Sequence, residues 1–238
     1  GFEKIIDKFD FPSDTEELGW GYSDEALFQK VFSTISTLKE PFFASALTIT
    51  NHHPFEVPTE YELGLGTQDL HNYYNSVHYM DSKLGEFLSL AKKEPWFENT
   101  IIIITADTSS FQPPQSKPKD FGEFVSLRSQ IPLLILGGPI EQNTEINEFA
   151  SQIDLAPTIM DLLGLAWTSP WVGKSLIAKQ DLLIAYTNRP GSYWAVMSED
   201  GSVYSENDNK FHVEENMDPQ LGKRLKSLGS SWLKVTSW

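Results

Sequence analysis

The chain has 238 residues, with 18 Lys+Arg against 33 Asp+Glu and a formal net charge of −15 at pH 7. Its apolar share of 40 % and aromatic share of 13 % exclude a disordered or collagen-like chain, and the length suits one large domain or a domain with a small appendage. The acidic balance and only three arginines (Arg128, Arg189, Arg224) argue against a nucleic-acid partner. The absence of cysteine excludes disulfides, thiolate metal sites and a cysteine nucleophile.

Residues 1–23 are acidic and turn-rich, and Gly19-Trp20-Gly21 reads as a flexible bend. Ser23-Asp24-Glu25 is a helix start, with Ser23 or Asp24 as cap and Ala26, Leu27, Val31, Ile35 and Leu38 on the inner face. Residues 42–50 (FFASALTIT) have the composition of a buried strand, ending at Asn51-His52-His53-Pro54-Phe55. A second helix runs from Leu70 to Lys93. Ile101–Ala106 is the clearest strand, unbroken by polar residues and followed at once by Asp107-Thr108-Ser109-Ser110. Residues 111–126 read as an irregular excursion, 131–136 as another buried strand, and 155–165 as a helix with Pro157 in its first turn. Short strands are expected around 182–186, 193–197 and 202–204, and a closing helix over 221–233.

Strands alternating with helices through residues 42–165 predict an α/β fold: an α/β/α sandwich on a largely parallel sheet. Residues 1–180 form that domain, and 181–238 a small antiparallel β appendage with its closing helix. No signal peptide is legible, and no apolar run approaches the ~20 residues of a membrane span.

In open α/β sheets, sites collect at the C-terminal ends of strands, which selects the loops 51–55 and 107–110. Asp107, at the tip of the isoleucine strand, is placed to hold a hard cation or orient a polar substrate, or else to close its loop by a hydrogen bond. His52 and His53 point apart in an extended segment, and either is a metal or oxyanion partner or a solvated loop residue. Asp154 reads as a helix N-cap. Ser109 and Ser110 are well placed for nucleophiles, but nothing nominates a base beside them. Lys117, Lys119 and Arg128 are the cations nearest Asp107 in sequence, as a basic pocket or a solvated loop.

An ordered set of segments carries a family resemblance: Thr50-Asn51-His52-His53-Pro54-Phe55, Tyr74 to Asp81, Asn99 to Asp107, Ile131 to Ile135, Gln152 to Thr158 with Leu162-Leu163-Gly164, and Gly173-Lys174-Ser175-Leu176. Together they resemble the C-terminal portion of the sulfatase branch of the alkaline phosphatase superfamily, nearest to phosphoglycerol transferases of the lipoteichoic acid synthase type. The resemblance implies transfer or hydrolysis at a phosphate or sulfate ester by a threonine nucleophile and a divalent metal, manganese or magnesium. It implies an extracytoplasmic domain, membrane-tethered in the full-length protein, with an anionic lipid or polymer of the cell envelope as substrate. The family's substrate-contacting histidine falls on His52, preceded by Asn51, and its strand-end metal ligand on Asp107.

The departures are as informative. The histidine that follows the strand-end aspartate in the family is Thr108 here, a poorer ligand. The family's nucleophile and an acidic metal ligand fall upstream of the region matched by Gly1, and no formylglycine motif of the sulfatase kind occurs. The chain is therefore expected not to run the family reaction alone, either because the upstream half of the same protein completes it or because its metal site has decayed. A non-catalytic binding or scaffolding domain on the same fold is the alternative expectation, and the histidine and the strand-end aspartate are expected to share one rim of the sheet.

Overall fold

In the computed structural model, the described residues are 1–64, 68–109, 117–138, 140, 143–168, 171–179, 184–189, 193–206 and 210–236. In chain order the elements are β1 (Glu17–Leu18), β2 (Gly21–Tyr22), α1 (Asp24–Ile35), α2 (Gln68–Ala91), β3 (Ile101–Thr105), α3 (Phe121–Ser129), β4 (Leu133–Gly137), α4 (Leu155–Leu162), β5 (Ala185–Arg189), β6 (Tyr193–Ser198), β7 (Gly201–Glu206), β8 (Lys210–Val213) and α5 (Pro219–Thr236). The chain divides into two compact units: Gly1–Ile102 with Leu136–Gly138, and Ile103–Ile135 with Pro139–Trp238.

The first unit is built on α1 against α2. Phe28, Val31, Phe32 and Ile35 recur at helical spacing and meet Leu84, Phe87, Leu88 and Ala91 of α2, with Trp96 closing the cluster. Lys83 of α2 is almost buried and bridges the helices through Glu25 (3.1 Å), while also meeting Glu86 one turn on (3.1 Å). These carboxylates and the hydroxyl of Tyr61 hold its ammonium well above the usual lysine range against the opposing effect of burial.

The second unit is organised by the antiparallel sheet β5-β6-β7-β8. Strict alternation along β6 divides its two faces. Ala195 and Met197 pack with Val125, Phe121 and Phe124 of α3, whereas Trp194 and Val196 pack with Leu221 and Leu225 of α5. Helix α5 starts cleanly: Asp218 Oδ1 accepts from the N–H groups of Gln220 and Leu221, with Pro219 in the first turn. It then lies close on the sheet, because a Cβ at Gly229 would stand 2.3 Å from the Trp194 ring and 2.8 Å from Val196.

The α/β class is realised, but the sheets correct the expected parallel arrangement. The pairs with a described register all run antiparallel. In the β3–β4 pair, Thr105 at the end of β3 donates to Pro132 just before β4, while Gly137 at the end of β4 lies against Thr100 just before β3. That pair is antiparallel too. Residues 43–49 form no helix and no ladder, and Phe43 and Leu47 are exposed. Their apolar composition predicts burial, yet no neighbouring strand among the described residues hydrogen-bonds them. Within the expected excursion at 111–126, residues from Phe121 on are helical. Asp120 Oδ1 accepts from Glu123 N–H, and the Glu123 side chain reaches back to Lys119 N–H. An Asp-x-x-Glu start of this kind is legible in sequence. Ser110 and Asp181–Leu183 lie outside the described residues.

Gly229→Ala is expected to destabilise the chain by about 1–3 kcal/mol despite alanine's better helix propensity, because the added methyl overpacks a buried tryptophan. Urea unfolding measures this, and an unchanged or raised midpoint contradicts the close helix–sheet contact.

Candidate functional site

The loop 49–55 is held by a residue far from it in sequence. Ser23 caps α1, its Oγ accepting from Ala26 N–H (3.2 Å). That leaves Asp24, 0 % exposed, free to turn its carboxylate elsewhere. Its Oδ1 accepts from the N–H groups of Ile49 (3.0 Å) and Thr50 (3.2 Å), and its own N–H donates to Thr50 Oγ1 (3.3 Å). Asp24 thus clamps the two residues that precede Asn51 to the start of α1.

Beyond the clamp the chain turns tightly. His52 N–H donates to Ile49 O and Phe55 N–H to His52 O, both at 2.9 Å. The His53–Pro54 peptide is cis, and Phe55 sits at φ 63°. A bulky residue in the left-handed region is strained, and its ring is held between His53 and Tyr73 in edge-on contacts of 5.8 and 5.6 Å. His52 is exposed, and its Nδ1 donates to His53 O at 2.8 Å, which leaves Nε2 as the nitrogen available to a ligand. Asn51 Oδ1 is buried with no hydrogen-bond partner.

Residues 17–22 are a small hairpin, not the expected flexible bend. Gly19 N–H donates to Glu56 (3.0 Å), and the Trp20 ring stands 4.2 Å from the His52 ring while 72 % exposed. Sequence reasoning took Asp24 only as a possible helix cap and Trp20 only as part of a bend. A Ser-Asp pair at a helix start conceals which residue caps, and a tryptophan between glycines carries no periodic signal.

In the second unit, Asp107 follows β3 by two residues and is exposed, as is Thr108. The segment is tied through its backbone: Gln152 Nε2 donates to the carbonyls of Ala106 (2.7 Å) and Asp107 (3.2 Å). Ser109 Oγ donates to Arg128 O, which makes it a tether of α3 and not a free hydroxyl.

Asp154 does not cap α4. It is only 7 % exposed, its Oδ2 accepts from Ser151 N–H and its Oδ1 from Lys174 N–H, both at 2.8 Å. Thr158 completes the link, donating to Asp154 O and accepting from Leu176 N–H. Gly173 is required here, because a Cβ would lie 1.9 Å from Ile153 O. Gln152–Thr158 and Gly173–Leu176 are thus two halves of one hydrogen-bonded knot. Burial raises the Asp154 carboxyl above its ordinary range, opposed by the two backbone N–H bonds and the Lys174 charge.

The ordered segments now carry a structure, and the Sulfatase family model matches residues 1–165. The chain belongs to the sulfatase family. Lipoteichoic acid synthase 2 of Bacillus subtilis (strain 168) is 25 % identical over 178 residues, covering 69 % of this chain and 27 % of that protein. Lipoteichoic acid synthase of Staphylococcus aureus (strain USA300) is 23 % identical over 237 residues, covering 94 % of this chain and 37 % of that protein. Among solved structures, the lipoteichoic acid synthase LtaP from Listeria monocytogenes superposes with a TM-score of 0.79 at 20 % identity, over 100 % of this chain and 64 % of the other. A protein in the alkaline phosphatase superfamily from Vibrio parahaemolyticus gives 0.79 at 24 % identity, over 100 % and 60 %. At such identities the superpositions establish the α/β fold of that superfamily. The sulfatase-family chain spans about a quarter to just over a third of the curated relatives it matches.

The family resemblance implies a divalent metal. Among the described residues, no three His, Asp or Glu side chains gather where one ion is held. Asp107 is an exposed carboxylate followed by a neutral threonine, so the described residues do not fit a complete metal centre.

Asp24→Ala leaves two N–H groups of the loop without their acceptor and is expected to cost about 2–4 kcal/mol. Urea unfolding gives the loss, and amide exchange at Ile49 and Thr50 accelerates with it; native protection at both amides contradicts the clamp. Asp154 supplies a pH test. Its raised carboxyl binds a proton more tightly folded than unfolded, so its contribution to stability falls as pH rises from the unfolded carboxylate value through the folded one. Wild type is expected to gain on Asp154→Asn as pH falls through that window, and parallel stability curves contradict it.

Proposed function

We propose that this chain is the C-terminal portion of a sulfatase-type domain acting on phosphate esters of the cell envelope, in the manner of a phosphoglycerol transferase. The observation that carries this reading is the strained, clamped loop at Asn51–Phe55 with an accessible His52 Nε2. Backbone strain held by surrounding contacts marks a position built for a ligand. His52 presents Nε2 to the ester phosphate, and the adjoining Asn51, whose Oδ1 is buried without a partner, helps to shape the loop around it. In a chain of net charge −15, a histidine admits an anion where acidic surroundings would repel it.

The full domain is an α/β/α sandwich in this reading, extracytoplasmic and membrane-tethered, with an anionic lipid or polymer as substrate. Asp107 is the remnant of a metal site. The nucleophile and the other ligands come from the upstream half of the same protein, and the chain by itself turns nothing over. The alternative, a non-catalytic domain that binds the same esters, is favoured by Thr108 and by the lack of a metal-ligand cluster among the described residues.

Two measurements test this. Titration with glycerol phosphate, followed by NMR, is expected to shift the His52 ring signals, with His52→Ala or Asn51→Ala weakening binding by about tenfold, the worth of one hydrogen bond to a charged group. Binding undiminished in both variants contradicts the site. Manganese is expected to stabilise Thr108→His to heating but not wild type, and the gain is lost when Asp107→Ala is added. A variant that binds no manganese removes Asp107 from the metal-site reading.

A further inference from the structure

We propose that the outward face of α5 is a docking surface for an anionic lipid bilayer. Pro219–Thr236 contains Lys223, Arg224, Lys226 and Lys234, while all 33 acidic residues of the chain lie outside it. The helix is divided lengthwise. Leu221, Leu225 and Gly229 face the sheet, whereas Lys223, Arg224 and Lys226 are exposed, with only Gln220 and Ser227 among them. Lys226 stands over the Phe211 ring at 4.0 Å, which fixes its stem without neutralising it. Lys174, also exposed, extends the surface, since it lines one small cavity of about 100 Å³ together with Arg224.

Three neighbouring carboxylates are hydrogen-bonded within the chain, while Glu215, near the helix start, is exposed. Asp218 caps the helix, Glu214 Oε2 accepts from Ser202 N–H and Oγ, and Asp154 in the cavity wall holds two backbone N–H groups. Among the described residues, Lys174, Lys223, Arg224 and Lys226 form no salt bridge. The apolar face of α5 is occupied by its own sheet, so the contact is electrostatic, at headgroup depth and without insertion. The exposed cations along this helix are opposite in charge to an anionic headgroup plane, which attracts basic residues at its surface. This surface is independent of the ester site at His52.

Co-sedimentation with vesicles tests it. The chain is expected to bind vesicles of equimolar phosphatidylglycerol and phosphatidylcholine at low salt, to ignore phosphatidylcholine alone, and to be released as salt rises. The triple variant Lys223→Gln/Arg224→Gln/Lys226→Gln loses about 100-fold, near fivefold per cation. The double variant Lys92→Gln/Lys93→Gln, which removes exposed cations elsewhere, binds as wild type. Equal binding by wild type and the triple variant overturns the proposal. So does tight binding of soluble long-chain polyphosphate by a chain that ignores the anionic vesicles, which assigns the face to a polymer. Circular dichroism of the triple variant guards against unfolding, and if it unfolds, the single variants carry the same comparison.

Discussion

A buried carboxylate at the start of α1 holds the candidate ester-binding loop in place. Burying Asp24 costs several kcal/mol unless its charge is met by hydrogen bonds. It is met in part by the N–H groups of Ile49 and Thr50, two residues that belong to no ladder and would otherwise have no partner for these donors. One interaction therefore offsets part of the cost of burying the carboxylate, whose Oδ2 is left without a partner, and fixes the segment from which Asn51 and His52 project. The same device recurs in the second unit. Asp154, at the entry to α4, is met by Ser151 and Lys174 N–H and so brings the Gly173–Leu176 segment onto the helix start. Each aspartate reads as a helix cap in sequence, and each instead joins a helix start to a loop about 20 or more residues away.

What could be read in advance follows from the range of the forces involved. The helices α1, α2 and α4 and the strand β3 rest on local periodicity, caps and β-branched runs, so they stand in the sequence. The loop Asn51–Phe55 was legible as a place, because Pro54 and Phe55 follow an apolar run. Its clamp was not, since Asp24 acts across 25 residues. Residues 43–49 show the limit most plainly. Their composition is that of a core strand, but a ladder is a property of two segments, and the second is not among the described residues. Strand direction was hidden for a similar reason: alternation of strands and helices suggests parallel crossovers, whereas β3 and β4 meet in opposite senses.

The sulfatase family thus enters this chain in two ways. Its α/β architecture is retained in the fold, while the strand end to which the resemblance assigns a metal ligand carries an exposed Asp107 followed by Thr108. In the reading proposed above, such a site recognises an ester and does not cleave it alone. Trp20, tilted against the His52 ring and largely exposed, adds an aromatic wall to that proposed recognition surface.

The clamp is tested most directly by NMR scalar coupling across the hydrogen bonds themselves. Couplings from the amide nitrogens of Ile49 and Thr50 to the side-chain carboxyl carbon of Asp24 are expected in the unmodified chain. Their absence, with both amides bonded to solvent, would contradict the account of how His52 is held.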